Sequence, residues 1–402
     1  MNRIGILENT ILDYSWGSTT AIPMLLGKPA NPLKPQAELW MGAHPKAPSQ
    51  ISLDGKKISL TELIDAHPKD ILGEKAAKRF NGKLPFLFKV LAAEKPLSIQ
   101  AHPNLSQAKA GFKRENALGI PLSAPNRNYK DDNHKPEIIC ALTRFWALNG
   151  FRKISETLSL AGPVCPEGLR EIFEILKEHP DPLGLKTFFK ELITIDTGQR
   201  QKIIDEAVRN AGSLSGRDPV YEWMTKLYEE YSNDMGVFSP LYMNLVCLEP
   251  GQAMSLPAGE IHAYLQGMGI ELMANSDNVL RGGLTPKHVD VTELLNILGF
   301  EERTIDILAP ESRTDSEEVY MTNVEEFVLS VIHVREDKIY RSERKRSAEI
   351  LLCTYGRAEI ACTETGENIA MPKGRSVIVP SELKQYTVKG NAVLYKAACP
   401  II

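Results

Sequence analysis

The sequence lacks the features of several specialised protein classes. Its 402 residues contain no apolar run approaching the ~20 residues that a membrane span needs, and the chain opens into mixed sequence without the apolar core of a signal peptide. No Walker or dinucleotide-type glycine motif is present, so a nucleotide cofactor is not expected. We therefore expect a cytoplasmic protein with no membrane partner.

Cysteines are few, and the chain has no excess of positive charge. The six cysteines are scattered without a Cys-x-x-Cys pair, which favours reduced thiols over a disulfide framework or a thiolate zinc site. The 47 basic and 51 acidic side chains give a net charge of −4, whereas nucleic-acid binding requires a positive surface. A nucleic-acid partner is therefore not expected.

The remaining composition is that of a globular protein, with 43% hydrophobic and 24% charged residues. At roughly 150 residues per domain the length predicts two or three domains. Strand-like patterns dominate the first 150 residues, and apolar residues recur at helical spacing between 151 and 235. Strand-like patterns resume at Val237, pause for a short helix at 292–298 and return after about residue 320.

Three segments of the first hundred residues predict particular strands. Residues 51–60 read as a β-hairpin around an Asp54-Gly55 turn. Residues 84–91 and 96–102 predict two further strands. Because side chains alternate along a strand, the polar residues of the second one share a face: Ser98, Gln100 and His102.

An internal similarity links two distant segments. Residues 251–264 align without gaps on 374–387, with glycine and proline at matching points but only two identical positions. Coincidence remains an alternative to a true repeat. In a true repeat His262 would lie opposite Gln385, and the second copy would lack the imidazole and its chemistry.

Three of the eight histidines lie in segments rich in other polar groups: His102, His134 and His262. Gln100 and His102 lie two apart on one predicted strand, so their side chains can share a ligand. Imidazole nitrogens with carboxylate and amide oxygens, and no thiolate, suit Zn²⁺ or another divalent first-row ion in an open, catalytic site. A purely structural, hydrogen-bonded role for each histidine remains the alternative.

Several segments resemble type I mannose-6-phosphate isomerases (phosphomannose isomerases) of the cupin superfamily. They include Pro-Phe-Leu-Phe-Lys-Val-Leu at 85–91, Gln-Ala-His at 100–102, Asn-His-Lys-Pro-Glu at 133–137 and Pro-Ala-Gly-Glu-Ile-His-Ala-Tyr at 257–264. Residues 38–45 and 270–287 also match. The resemblance covers most of the chain in the family's order and approximate spacing, and is weakest after about residue 310.

The resemblance implies a mainly β fold with a helical insert: two cupin (jelly-roll) domains plus an α-helical domain. Residues 1–150 with 236–310 would form the catalytic cupin domain, and 151–235 the helical insert. Residues 311–402 would form a metal-free, cupin-like C-terminal domain. The resemblance also implies that the protein is a monomer.

The implied activity is a zinc-dependent aldose–ketose isomerisation, between D-mannose 6-phosphate and D-fructose 6-phosphate through a cis-enediol. A dication near the O1 and O2 oxygens stabilises the negative charge that develops there. The resemblance implies one Zn²⁺ per chain and a phosphosugar substrate. The implied metal ligands are Gln100, His102, Glu137 and His262.

The group that moves the proton is left open. Lys135 lies two residues before Glu137, so both side chains face one cavity on an extended segment, and an ammonium near a dication loses its proton more easily. An ordinary salt bridge is the alternative for Lys135. His134 alternates to the other face, although the family suggests it for ring opening, and Glu271 is a third candidate.

The phosphate group requires fixed positive charge. Arg281, beside two glycines, and Lys287 are assigned to the phosphate or to charge stabilisation at the reacting carbons. Core packing is an equal alternative for Trp16. The further pocket residues that the resemblance implies are Trp16, Ser98, Tyr264 and Asp277.

Two other functions compete with an isomerase. A non-haem metal oxygenase is possible on a cupin scaffold, but it has no need for Arg281 and Lys287 near the metal. A sugar-phosphate-binding regulator without catalysis is expected to have lost a ligand or the catalytic lysine, and this sequence retains them.

Overall fold

The computed structural model describes residues 3–53 and 55–400, within which the chain forms 21 strands and 12 α-helices. The strands are β1 (Gly5–Glu8), β2 (Thr10–Leu12), β3 (Glu38–Gly42), β4 (Gln50–Leu53), β5 (Lys56–Ser59), β6 (Phe86–Ala93), β7 (Ile99–Ala101), β8 (Glu137–Ala141), β9 (Phe145–Phe151), β10 (Met243–Leu248), β11 (Ala253–Leu256), β12 (His262–Ala274), β13 (Leu280–Gly283), β14 (Glu311–Ser312), β15 (Glu317–Tyr320), β16 (Val328–Val334), β17 (Tyr340–Arg341), β18 (Glu349–Cys362), β19 (Asn368–Pro372), β20 (Ser376–Val379) and β21 (Tyr386–Ala398).

The helices are α1 (Ala21–Leu25), α2 (Leu60–Ala66), α3 (Pro68–Leu72), α4 (Glu74–Arg79), α5 (Leu105–Ala117), α6 (Ile154–Ala161), α7 (Arg170–Glu178), α8 (Pro182–Ile193), α9 (Thr197–Gly212), α10 (Pro219–Glu230), α11 (Ser239–Tyr242) and α12 (Val291–Ile297). Two 3-10 helices lie at Glu167–Leu169 and Met235–Phe238. None of the helices in the described ranges combines the length and apolar character that crossing a membrane requires.

The fold is mainly β, with two antiparallel sheets and several helices. Sheet A has ten strands in the order β10-β9-β12-β6-β3-β2; β7 and β8 also pair with β12, β13 pairs with β7, and β11 pairs with β8. Sheet B has eleven strands in the order β14-β15-β16-β21-β18-β20-β1-β4-β5, with β17 on β21 and β19 on β18. A shared apolar core, which includes Phe88 and Ile138 from sheet A and Leu329 and Ile350 from sheet B, joins the two.

The 13-residue strand β12 organises sheet A. Its first residues pair with β7 and β9, and its last residues pair with β6 and β8. The change of partners occurs around Gly267, where φ is +129° and a Cβ atom would lie 2.5 Å from the Arg144 carbonyl oxygen. Only glycine fits this close approach. One strand can therefore carry His262 at one end and Glu271 near the other.

The predicted helical segment 151–235 is confirmed by α6 to α10, which occupy most of it. Asp181, Asp196 and Asp218 accept hydrogen bonds from the first backbone N–H groups of α8, α9 and α10, which fixes where these helices begin. The predicted return of strands at Val237 is wrong. A 3-10 helix and α11 cover 235–242, with Pro240 in the first turn of α11, so the strand β10 starts only at Met243.

Short helices in the N-terminal stretch were not expected from its strand-like patterns. The helix α2 begins with a capping box between Ser59 and Glu62, and α5 begins with one between Asn104 and Gln107. The predicted hairpin is confirmed by antiparallel pairing of β4 with β5. Asp54, in its predicted turn, lies outside the described residues.

The sheet pairing differs in one respect from the predicted domain division. The first strand β1 pairs with β20, at Gly5 opposite Ile378, and also with β4. Segments before residue 60 therefore contribute to sheet B, although the prediction assigns all of 1–150 to the catalytic part. The internal similarity has a structural counterpart, because β11 and β20 occupy equivalent positions in the two aligned segments and each is followed by a 13-residue strand.

Candidate metal centre and active site

Two imidazoles and a carboxylate from sheet A and its connections converge. His102 follows β7, Glu137 begins β8 and His262 begins β12, and all three are buried. Glu137 Oε1 lies 3.5 Å from His102 Nε2, and Glu137 Oε2 lies 3.5 Å from His262 Nε2. One ligand atom from each residue lies within 4.8 Å of the others. The three side chains therefore form one compact cluster.

Backbone carbonyls hold both imidazole rings by their Nδ1 atoms. His102 Nδ1 is 2.7 Å from the Asn278 carbonyl oxygen, and His262 Nδ1 is 3.0 Å from that of Glu260. A carbonyl can only accept, so each Nδ1 carries the proton and each Nε2 presents its lone pair to the cluster. Within the described chain, the buried His102 Nε2 has no hydrogen-bond partner.

The cluster fits a zinc ion. Nitrogen and oxygen ligands at ~2.1 Å from a tetrahedral zinc stand roughly 3.4 Å apart, and the two Nε2-to-oxygen distances are 3.5 Å. The unpartnered lone pair on His102 and the carbonyl contacts behind both rings are the arrangement that metal-binding histidines use.

Gln100 lies beside this cluster in the strand register. Its Cα is paired with that of His262 on one side and that of Arg281 on the other. The Gln100 amide nitrogen donates to Ser98 Oγ at 3.1 Å, so the amide oxygen remains free to accept. This contact shows Ser98 and Gln100 on one face, as predicted. The strand β7 ends at Ala101, so strand alternation does not place His102 on that face.

Burial controls the protonation of the cluster. Burial, with the nearby Lys135 ammonium, lowers the pKa of His102 to about 4. Burial also lowers the pKa of His262. Although burial disfavours a carboxylate, the Lys135 ammonium holds the pKa of Glu137 well below its usual range. The site therefore presents neutral imidazoles and an ionised carboxylate, the forms that bind metal.

The candidate proton carriers occupy different surroundings. Lys135 Nζ is 2.8 Å from Glu137 Oε1, so the predicted common face for these two residues is observed. Glu271 is buried and pairs instead with Lys89 at 2.7 Å. His134 points to the other side, where its Nε2 is 2.7 Å from Glu326 Oε1. Of the three candidates, Lys135 is in direct contact with the cluster.

The two predicted anion-binding cations lie near each other. Arg281 is on β13, where the register shifts before Gly283, and such a bulge redirects the neighbouring side chains. Burial lowers the pKa of Arg281, and burial together with the Arg281 charge lowers that of Lys287. Within residues 3–53 and 55–400, no carboxylate offsets the charge of either side chain. Two close, unpaired cations form a suitable place for a phosphate dianion.

The other residues predicted to line the pocket have different neighbours. Tyr264 is buried two residues after His262, and their ring centroids are 6.1 Å apart. Trp16 is half-buried against the apolar group that contains Tyr264, so packing explains part of its position. Asp277 forms an ion pair with Lys46 at 2.9 Å and directly precedes the residue whose carbonyl holds His102.

Lys89 and Glu38 are two buried charged residues that the motifs did not single out. Lys89 lies 3.6 Å from Glu38 and 5.4 Å from the Trp40 ring centroid. Although burial alone would lower it, the carboxylates of Glu271 and Glu38 raise the pKa of Lys89. The sequence feature that could have revealed this buried group is the single lysine inside the apolar run 86–91.

Comparison with known proteins identifies the family. A model of the phosphomannose isomerase type I catalytic domain matches residues 5–154. The chain is 40% identical over 390 residues to the mannose-6-phosphate isomerase of Escherichia coli (strain K12), with 96% of this chain and 97% of the relative covered. The chain belongs to the mannose-6-phosphate isomerase family. The resemblance found in the motifs is thereby confirmed.

Other members of the mannose-6-phosphate isomerase family agree in sequence and fold. The Homo sapiens enzyme is 32% identical over 430 residues, with 99% of each chain covered. A single-residue variant of phosphomannose isomerase from Salmonella typhimurium has a TM-score of 0.92 at 38% identity, covering 99% of this chain and 100% of that one. A zinc-bound mannose 6-phosphate isomerase has a TM-score of 0.90 at 37% identity, with the same coverage. These matches give no support to the oxygenase or regulator alternatives.

Proposed function

We propose that this chain is a zinc-dependent mannose-6-phosphate isomerase, which interconverts D-mannose 6-phosphate and D-fructose 6-phosphate through a cis-enediol. The observation that carries the proposal is the buried cluster of His102, Glu137 and His262 beside two cations without partners. Metal-assisted isomerisation of a phosphosugar needs both a metal-binding cluster and positive charge for the phosphate. The full-length relatives named for this activity support the same function.

One Zn²⁺ would be held by Gln100, His102, Glu137 and His262, and when bound it supplies a Lewis acid for the oxygens on the reacting carbons. The protein would keep these ligands in their binding forms through the two backbone carbonyls and through Lys135. Ser98 would hold the Gln100 amide so that its oxygen faces the cluster.

Lys287 and Arg281 would each stabilise a different negative charge of the substrate. Lys287 lies in the exposed connection after β13, where it can bind the phosphate of an entering sugar. Arg281 is opposite Gln100 in the strand register, closer to the ligands, and would stabilise charge at the reacting carbons. Trp16, Tyr264 and Asp277 would line the sugar.

Lys135 is the group to which we assign proton movement between C1 and C2. Its Nζ lies 2.8 Å from the ligand carboxylate of Glu137, and the side chain is nearly buried. Proton transfer by a positioned side chain requires such proximity to the reacting atoms. Glu271, engaged by Lys89, and His134, engaged by Glu326, are the alternative carriers; His134 remains the candidate for ring opening.

We also propose a division of the chain into three domains. Residues 1–150 with 236–310 would form a catalytic cupin domain, 151–235 a helical domain and 311–402 a metal-free cupin-like domain, with β1, β4 and β5 shared with the last. The matching positions of β11–β12 and β20–β21 support two related jelly rolls. We also propose a cytoplasmic monomer without a nucleic-acid partner, in line with its net charge of −4.

A coupled assay tests the activity. Formation of fructose 6-phosphate from mannose 6-phosphate is measured for the purified protein, after chelation, and after zinc is restored. We expect turnover that chelation abolishes and zinc recovers. Absence of turnover from zinc-loaded, folded protein, or turnover that survives complete metal removal, would overturn the proposal.

A further inference from the structure

The connection between β12 and β13 contains a fully buried asparagine that joins two distant parts of the chain. Asn278 Oδ1 accepts hydrogen bonds from the backbone N–H groups of Lys130, at 2.7 Å, and Asp131, at 3.2 Å. Its Nδ2 donates to the carbonyl oxygens of Asp131, at 2.9 Å, and Asn133, at 2.8 Å. The amide therefore satisfies both its donor and its acceptor atoms on one short segment.

Asp131 strengthens the same connection from the other side. Its Oδ1 accepts from Ser276 Oγ at 2.8 Å and lies 3.2 Å from Asn278 Nδ2. Its Oδ2 accepts from the Asp277 backbone N–H at 2.7 Å. Segments 130–133 and 276–278 are thus cross-linked in both directions by buried or half-buried polar groups.

The cross-link ends at two of the proposed metal ligands. The backbone carbonyl of Asn278 itself accepts from His102 Nδ1 at 2.7 Å. On the other side, segment 130–133 continues directly into Lys135 and Glu137. His102 follows β7 and Glu137 begins β8, so a group that fixes both segments also fixes the distance between the two ligands.

We propose that Asn278 is a positioning residue for the metal centre. Its side-chain amide locks segment 130–133 in place, and its carbonyl, held by that lock, sets the tautomer and direction of the His102 ring. This inference rests on the proposed function for the identity of the ion. A residue that acts behind a ligand changes metal affinity without touching the metal.

The substitution Asn278→Asp tests the hydrogen bonds donated by the side-chain amide, because aspartate has nearly the same size and shape as asparagine. The carboxylate still accepts from the two N–H groups, but it cannot donate to the carbonyls of Asp131 and Asn133, and it faces the Asp131 carboxylate. Zinc affinity, measured by competition with a chromogenic chelator, is expected to fall about 10- to 100-fold. The visible spectrum of the Co²⁺-loaded variant is expected to change in band position or intensity.

Asn128→Asp is the matched control. Asn128 lies just before the same segment, and its Nδ2 donates to Asp290 Oδ2 at 2.8 Å, so the change likewise sets two carboxylates together. Asn128 has no contact with His102 or Glu137 among the described hydrogen bonds. We expect wild-type zinc affinity and a wild-type Co²⁺ spectrum for this variant.

A reciprocal exchange keeps the test decisive if Asn278→Asp alone does not fold. The double variant Asp131→Asn with Asn278→Asp restores an amide–carboxylate pair in the opposite sense. It is expected to fold and to bind zinc within about tenfold of wild type, and about threefold or more tighter than the single variant where that variant folds. Apo-protein melting temperatures are recorded for all forms. Wild-type zinc affinity in folded Asn278→Asp, an equal loss in Asn128→Asp, or no recovery in the double variant would overturn the proposal. Zinc binding is read without substrate, so failure of the isomerase assay alone would count against the proposed function instead.

Discussion

Lys135 Nζ lies 2.8 Å from Glu137 Oε1, and the same carboxylate lies 3.5 Å from an imidazole nitrogen on either side. One buried carboxylate thus contacts both imidazoles and the ammonium. Because the Lys135 ammonium holds the pKa of Glu137 well below its usual range, the carboxylate stays ionised despite burial. The site is therefore prepared for a cation before the cation binds.

Removing an imidazole should abolish metal binding. In His102→Ala or His262→Ala the cluster loses one of its donors, and we expect zinc content to fall from near one per chain to near zero, with loss of isomerase activity. Metal analysis of the purified variants measures this. Gln266→Ala, at an exposed position of the same strand β12, is the control and should retain zinc. Full zinc content in both histidine variants would exclude this cluster.

Lys135→Met should separate chemistry from metal binding. The methionine keeps the apolar stem but cannot move a proton, so kcat of the zinc-saturated variant should fall by roughly 10²- to 10⁴-fold. Zinc is supplied in excess, because loss of the Lys135 ammonium also weakens the preference of Glu137 for its ionised form. Lys95→Met, at an exposed lysine paired with Glu230, should leave kcat unchanged. If Lys135→Met retains its kcat, proton movement belongs to Glu271 or His134.

Lys287 and Arg281 should respond differently to substitution. For Lys287→Ala we expect KM for mannose 6-phosphate to rise about 10- to 100-fold, the equivalent of one charge-assisted hydrogen bond, with kcat little changed. For Arg281→Ala we expect most turnover to be lost while zinc is retained. Steady-state kinetics of both variants decide the assignment, with Arg144→Ala, at an exposed arginine paired with Glu249, as the control. An unchanged KM in Lys287→Ala would remove it from the phosphate site.

Sheet B contains its own buried ion cluster, which should govern acid stability. Lys396 Nζ lies 2.5 Å from Glu317 and 3.4 Å from Glu349. Burial opposes ionisation of Glu317, but the Lys396 charge holds its pKa below the ordinary value. A carboxyl whose pKa is lower in the folded state contributes stability above its unfolded pKa and loses it as pH falls through the folded pKa. Glu317 should therefore contribute fully at neutral pH.

Glu317→Gln should destabilise the protein at pH 7 by about 3 kcal/mol, because a buried ammonium loses one of its two carboxylates. The difference from wild type should shrink as pH falls below the usual carboxyl range. Urea unfolding from pH 7 to pH 3 measures both effects. Glu318→Gln, at the half-buried neighbouring position beside His333, should change little. Equal stability of Glu317→Gln and wild type at pH 7 would refute this account of the cluster.

The sequence predicted the elements that have a strong local pattern. The helical segment followed from i, i+3, i+4 spacing, and the strand β6 followed from a continuous apolar run. The short helices α2 and α3 were missed, since they have seven and five residues, too few for a repeated pattern. The first begins with a capping box and the second with a proline. The sheet partner of β1 was also out of reach, because Gly5 and Ile378 are brought together only by the tertiary fold.

The candidate site was predictable where motifs identify residue types. Motif resemblance named His102, Glu137 and His262, and the structure brings them together. The supporting contacts were not predictable: the carbonyl of Asn278 holds His102 from 176 positions away, and backbone atoms leave no mark in a motif. The partner of His134 is Glu326, in a segment where the family resemblance is weakest.

The central claim is that Gln100, His102, Glu137 and His262 bind one zinc ion together. Anomalous diffraction from crystals of the zinc-loaded protein, recorded above and below the zinc absorption edge, tests it most directly. The account predicts a single peak about 2.0–2.2 Å from one nitrogen or oxygen atom of each residue. A peak elsewhere in the molecule, or one from which any of the four side chains is turned away, would contradict it.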